Sequence, residues 1–215
     1  MIKTIMIGDS VLYGALGQGS GPLGCGRVDP HPQEVLNAHQ GVFDFCYNYA
    51  MPGASFAGVL SIDSVTRQNN GMPNGVALFD LLEDVHPDAG AMLINLGGND
   101  YSGASFVSNI EIVADICRYQ NRLFAFVGLV DVSLKDSIEN TGYTGDLLPY
   151  LQQTGRFAHN ADTLKQICAV KGYPYVDIRN HVKHNINGIT GDLVHPNQAY
   201  SEAIFTHVAR AITGQ

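Results

Sequence analysis

Short apolar segments alternate along this chain with segments of helical periodicity, and this alternation limits the possible folds more than any other feature. Five apolar segments have the length of strands: Ile2–Ile7, Val42–Tyr49, Ala91–Leu96, Leu123–Val130 and Tyr175–Ile178. Apolar residues recur every three or four positions in four other segments: Gly75–Asp84, Ser105–Tyr119, Leu151–Val170 and Asn197–Ile212. Strands that lack polar alternation are expected where helices cover both faces of a parallel sheet. We therefore predict an α/β fold with three α/β/α layers, doubly wound around a five-stranded parallel sheet.

The length and composition of the chain fit one globular domain. The 215 residues are 45% hydrophobic and 15% charged, and no repeat or linker interrupts the β-α alternation. These values suit a chain with one core and argue against disorder. We expect residues 1–215 to form a single domain.

The charge and hydropathy patterns exclude two classes of partner. The formal net charge is −8 with no compensating basic cluster, so a nucleic acid backbone would be repelled. The longest apolar stretch, Leu123–Val130, is too short to span a bilayer. Met1–Ile7 leads directly into the first predicted strand without a signal-peptide core, so a cytoplasmic location is expected. A small molecule is the expected partner, and the oligomeric state is left open.

The cysteines and histidines do not form a metal-binding pattern. The four cysteines are widely spaced and include no C-x-x-C pair: Cys25, Cys46, Cys117 and Cys168. Two groups of histidines could suggest a metal site, but neither forms a compact set of metal ligands: His31 with Glu34 and His39, and His181 with His184. We expect buried thiols, no metal and no organic cofactor.

Two long irregular segments, Gly14–Gly26 and Asp131–Pro149, each follow a predicted strand. The first contains six glycines, and the second contains several apolar side chains. Ligands bind at the carboxyl edge of an open parallel sheet. We therefore predict that both segments are loops that border a binding site, where they could cover a small ligand.

A serine and a distant histidine suggest nucleophilic catalysis. Ser10 follows the first predicted strand in Gly8-Asp9-Ser10, where an isolated serine would be an ordinary helix N-cap. Asp192 and His195 precede the last predicted helix, three residues apart, so the carboxylate can orient the imidazole. Ser10 as nucleophile, His195 as base and Asp192 as orienting group would form a catalytic triad for acyl transfer.

Two further strand ends contain groups that could stabilise an oxyanion. Gly53 follows the second predicted strand and allows its backbone N–H to approach a substrate closely. Asn99, in Gly97-Gly98-Asn99-Asp100 after the third strand, could donate from its side-chain amide. Both segments are also typical of tight turns, so the residues alone leave these alternatives open.

These segments, in this order, resemble the sequence blocks of the SGNH, or GDSL-like, hydrolases. Four parts of the sequence match: Gly8-Asp9-Ser10, Gly53, Gly97-Gly98-Asn99-Asp100 and Asp192 with His195. The resemblance spans nearly the whole chain and implies a flavodoxin-like sheet. It also implies an oxyanion hole made from the Ser10 N–H, the Gly53 N–H and the Asn99 amide. Asp9 and Asp100 are expected only to anchor loops by accepting backbone N–H groups.

The resemblance implies hydrolysis of carboxylic esters through an acyl-serine intermediate, and we expect short acyl groups such as acetyl. A thioesterase or lysophospholipase would use the same residues on a longer acyl chain. A non-catalytic flavodoxin-like binding module would instead bind a phosphate at Gly8–Ser10 and Gly97–Asp100. Such a module would have no need for Asp192 and His195 together.

Overall fold

The structure is a computed structural model that describes residues 1–18, 25–39, 41–60, 78–130, 148–179 and 195–214. Its strands are β1 (Ile2–Gly8), β2 (Ala15–Gln18), β3 (Cys25–Arg27), β4 (Phe43–Asn48), β5 (Ala91–Asn95), β6 (Leu123–Val127) and β7 (Tyr175–Val176). Its helices are α1 (Ser10–Tyr13), α2 (Pro32–Ala38), α3 (Phe56–Leu60), α4 (Leu78–Val85), α5 (Ala104–Tyr119), α6 (Leu148–Lys171) and α7 (Gln198–Thr213).

Five strands form one parallel sheet in the order β4-β1-β5-β6-β7. Numbered within this sheet alone, the order is 2-1-3-4-5, which is the flavodoxin-like arrangement. The predicted fold class is therefore confirmed. The central strands β1 and β5 arise where they were predicted because their apolar segments are buried between helices, and β5 is buried along its whole length.

Alternate side chains of each central strand enter different cores. Ile5 and Ile7 of β1 pack in one core with residues of α3, α4, α5 and α6. Met6, between them, packs on the opposite face with residues of α1, α2 and α7. This alternation follows from the two-residue repeat of a strand. Helices therefore cover both faces of the sheet, which gives the predicted three layers.

Two predicted loops contain regular structure, so those predictions were wrong in part. Within Gly14–Gly26, β2 and β3 pair antiparallel, and residues 19–24 lie outside the described residues. Within Asp131–Pro149, residues 131–147 lie outside the described residues, but α6 already begins at Leu148. A hairpin can form despite the glycines because its backbone hydrogen bonds do not require particular side chains.

The predicted burial of the thiols is confirmed for two of the four cysteines. Cys117 and Cys168 are buried, and burial raises the pKa of each thiol to about 12. Cys46 is partly buried, and none of these three cysteines is in a disulfide. The side chain of Cys25 lies outside the described residues.

The amino-terminal edge of the sheet is closed by the end of α7. Ile212 lines a small apolar cavity there with Thr4, Ala91 and Leu123, which lie near the starts of β1, β5 and β6. The carboxyl edge, where Ser10 follows β1, is therefore at the other end of the sheet. Within the described ranges, no helix combines the length and the apolar character that a membrane span requires.

Candidate active site

Ser10 is the first residue of α1, directly beyond the carboxyl end of β1. Asp9 is the N-cap, and its carboxylate accepts the Val11 N–H at 2.9 Å. The capping role considered for an isolated serine is therefore filled by Asp9. The first N–H groups of a helix have no partner within it. Among the described residues the Ser10 N–H has no acceptor, so it remains available for a ligand.

The segment after β4 is attached to the end of β1. The Met51 N–H donates to the Gly8 carbonyl oxygen at 2.9 Å, and the Ala54 N–H donates to Met51 at 3.1 Å. This tight turn gives Gly53 a φ of +83°, a conformation that favours glycine. Gly53 is exposed, and no atom lies within 4 Å of the position that a Cβ would occupy. Among the described residues, no backbone carbonyl accepts its N–H.

Asn99 is attached to the same turn. Its side-chain amide donates to the Ala54 carbonyl oxygen at 3.0 Å. Asp100 accepts the Phe56 N–H at 2.9 Å and the Ala57 N–H at 3.2 Å, at the start of α3. The structure thus brings the segments of Ser10, Gly53 and Asn99 together through backbone and side-chain hydrogen bonds.

His195 precedes the N-cap of α7, Asn197, and reaches the same region as β1. Positive charge on His195 lowers the pKa of Asp9, which places the two side chains within electrostatic range. Asp192 lies outside the described residues.

The two acidic side chains at this edge have the anchoring roles expected of them. Burial raises the pKa of Asp9 to about 6, although the Val11 N–H and His195 oppose the shift. Burial also raises the pKa of Asp100, although the N–H groups of Phe56 and Ala57 oppose it. Both carboxylates are buried and bond to backbone N–H groups.

A protein-family model described as GDSL-like Lipase/Acylhydrolase matches residues 5–208. The chain belongs to this family. The matched region includes every block on which the resemblance was based. No protein of curated function matches the sequence.

Solved structures with the same fold include three enzymes. An aryl esterase from M. smegmatis is 13% identical with a TM-score of 0.68, over 100% of this chain and 99% of that one. A carbohydrate acetylesterase from Sinorhizobium meliloti is 13% identical with a TM-score of 0.62, over 100% and 99%. A GDSL-like lipase from Bacteroides thetaiotaomicron is 11% identical with a TM-score of 0.56, over 98% and 87%. At such identities the likeness establishes the fold of this GDSL-like protein.

Sequence reasoning missed the part of α6 that supports the Asn99 loop in this GDSL-like protein. Asn160 donates to the carbonyl oxygens of Gly97 and Asp100, at 2.8 and 3.0 Å. The Phe157 ring lies where a side chain on residue 98 would be. A signal was present, because Asn160 interrupts the otherwise apolar face of a predicted helix.

Two groups of histidines were considered as metal ligands, and the structure describes only one of these groups. The His31 N–H donates to the Glu34 carboxylate at 2.7 Å, at the start of α2. His181 and His184 lie outside the described residues. Where side chains are described, no three His, Cys, Asp or Glu residues form a metal-binding group.

Proposed function

We propose that the protein is a serine ester hydrolase that cleaves carboxylic esters with short acyl groups, such as acetyl, through an acyl-serine intermediate. The main support is the arrangement around Ser10. Asp9 caps the helix, and the Ser10 N–H has no acceptor among the described residues. The Gly53 turn is bonded to the end of β1, and the Asn99 amide is bonded to that turn. This arrangement suits a nucleophile surrounded by donors.

In the proposed reaction, His195 removes the Ser10 proton while Ser10 Oγ attacks the ester carbonyl carbon. The negative charge on the carbonyl oxygen is stabilised by the Ser10 N–H, the Gly53 N–H and the second amide hydrogen of Asn99. The bond to the alcohol oxygen then breaks, and His195 returns the proton to the departing alcohol.

The acyl-serine is hydrolysed by a water molecule in the second half of the reaction. His195 takes a proton from the water as its oxygen attacks the acyl carbon, and Ser10 recovers that proton when the acid leaves. Asp192 orients His195 throughout.

The short-acyl preference is the finer part of the proposal. Its support is the expectation that Gly14–Gly26 and Asp131–Pro149 border a modest pocket, together with two proteins of the same fold. One of these is named as an aryl esterase and the other as a carbohydrate acetylesterase.

The test is a chain-length series of aryl esters and acyl-CoA thioesters, with a fluorophosphonate probe measured by intact mass. Wild type and Ser108→Ala, which changes an exposed serine on α5, should hydrolyse acetyl and butyryl esters and gain one adduct. Ser10→Ala should do neither.

A preference for twelve-carbon or longer chains would favour the thioesterase or lysophospholipase alternative. Folded wild type with no turnover and no adduct would contradict the enzyme proposal and favour a binding module.

A further inference from the structure

Asn160 is a fully buried polar residue in the middle of α6, with 0% of its surface exposed. Its Nδ2 donates to the Gly97 carbonyl oxygen at 2.8 Å and to the Asp100 carbonyl oxygen at 3.0 Å. Its Oδ1 accepts the Ser102 hydroxyl at 2.8 Å. One side chain therefore holds both ends of the segment that contains Asn99.

These three bonds fix the orientation of the Asn160 amide. Rotating the amide by half a turn would place its oxygen against the two carbonyl oxygens, neither of which can donate a hydrogen bond. Both Nδ2 hydrogens and the Oδ1 atom are used, so the buried group is fully satisfied. Hydrogen bonds in such a dry site are stronger than bonds at a surface.

The position of Asn160 cannot be explained by the helix or by the core. Asparagine is a weak helix former, and a buried amide is costly unless it is hydrogen-bonded. Its helix neighbours Phe157, Ala161 and Leu164 are buried and apolar, as expected for a face that packs inward. All of the hydrogen bonds between the Asn160 side chain and described residues go to residues 97–102, at the carboxyl edge of the sheet.

Phe157 blocks the other direction in which this segment could move. Two of its ring carbons lie 2.7 Å from the position of a Cβ on Gly98. On the far side, Asn99 bonds to Ala54, and Asp100 bonds to the start of α3. The loop is therefore held between α6 and the Gly53 turn.

We propose that Asn160 is a positioning residue that holds the segment from Gly97 to Asp100 so that the Asn99 amide faces the oxyanion. The proposal rests on the proposed function, because it gives Asn160 a role only through Asn99. Misplacement of a catalytic group by about 1 Å can cost roughly 10²-fold in rate. Asn160 should thus affect the transition state more than substrate binding.

The first test is Asn160→Asp, which keeps the shape but removes both donors. We expect kcat to fall roughly 10- to 100-fold with little change in KM. Ser102→Ala removes only the bond that Asn160 accepts. Because Ser102 is exposed, this variant should fold, and its kcat should fall roughly 2- to 5-fold.

Arg122 provides a matched control at the other end of the sheet. Its buried guanidinium donates to two backbone carbonyl oxygens at the end of α4, those of Leu82 at 3.1 Å and His86 at 3.0 Å. Arg122→Met should lower the melting temperature while kcat stays unchanged. If Asn160 had a purely structural role, Asn160→Asp would likewise lower the melting temperature and leave kcat unchanged.

The deciding measurement repeats both variants in an Asn99→Ala background. If Asn160 acts through Asn99, neither Asn160→Asp nor Ser102→Ala should lower kcat further there, because residues that act as a unit are not additive. The proposal would be overturned, and the proposed function would stand, if folded Ser102→Ala and Asn160→Asp both had native kcat. The same holds if the effect of either variant on kcat multiplies with the effect of Asn99→Ala. If Asn160→Asp does not fold, Ser102→Ala decides by the same criteria. Wild type without Ser10-dependent turnover would overturn both this proposal and the proposed function.

Discussion

The side-chain amide of Asn99 donates to the carbonyl oxygen of Ala54, the residue after Gly53, at 3.0 Å. This bond uses one of the two amide hydrogens. It also sets the orientation of the amide relative to the Gly53 turn, so two of the proposed oxyanion donors are held by one contact. Donors held in advance of the reaction need no reorganisation as charge develops.

Asn99→Ala should lower kcat by roughly 10²–10³-fold with little change in KM, because the lost bond strengthens mainly in the transition state. Loss of the bond to Ala54 should cost about 1 kcal/mol of unfolding free energy. Steady-state kinetics and urea unfolding measure the two effects separately. Near-native kcat would show that Asn99 is only a turn residue.

Gly98→Ala tests the packing of the same loop against α6. The new Cβ would lie 2.7 Å from two Phe157 ring carbons and 3.1 Å from the Asp9 carboxylate. We expect a loss of about 1–3 kcal/mol of unfolding free energy, together with a lower kcat. Gly26→Ala is the control, because its Cβ would lie 3.5 Å from the nearest atom, in Leu16. Equal stability of the two variants would contradict the close packing.

Asp9→Asn should change how stability depends on pH. Burial raises the pKa of Asp9 from an ordinary 3.8 to about 6. Well below pH 3.8 the carboxyl is protonated in both the folded and the unfolded chain, and no stability is lost. As the pH rises towards 6, the unfolded chain releases its proton first, so the free energy of unfolding falls.

At pH 7 this penalty amounts to about 3 kcal/mol, at about 1.4 kcal/mol per pKa unit. Asparagine is neutral and can still accept the Val11 N–H as an N-cap. The stability of Asp9→Asn relative to wild type should therefore increase between pH 4 and pH 7. Urea unfolding across this range measures it, with Asp115→Asn, an exposed change on α5, as the control. A difference that is constant with pH would contradict the burial of a titrating Asp9.

Asp192→Asn tests the group that is proposed to orient His195. The amide can stabilise the wrong imidazole tautomer, so kcat should fall on the order of 10³- to 10⁴-fold while the fold is retained. Asp162→Asn, at an exposed position on α6, should behave like wild type. Full activity in Asp192→Asn would assign the orienting role to another group.

The main sheet could be predicted from the sequence because burial on both faces demands continuous apolar strands. β5 was predicted as Ala91–Leu96 and observed as Ala91–Asn95. The short helix Pro32–Ala38 was missed, since seven residues give too little periodicity to detect. α6 begins at Leu148 rather than Leu151, within the usual uncertainty of helix ends.

The site residues could be predicted where a reactive side chain directly follows a strand. They could not be predicted where their role depends on contacts with distant parts of the chain. Ser10 and Asn99 follow strands, so their place at one sheet edge follows from the topology of a parallel sheet. Asn160 is far from both in sequence, and the two groups to which it donates are backbone carbonyls, which are the same in every residue. Its role could not be derived from the sequence because only folding brings these groups together.

The direction of α7 determines how this protein could be attached to a support. The helix begins three residues after His195 and extends for 16 residues, about 24 Å at 1.5 Å per residue. Its far end, at Ile212, lies by the starts of β1, β5 and β6. A resin or electrode coupled to residues beyond α7 would therefore face the edge of the sheet remote from Ser10. The immobilised molecules would then share one orientation, with the carboxyl edge open to the flowing solution.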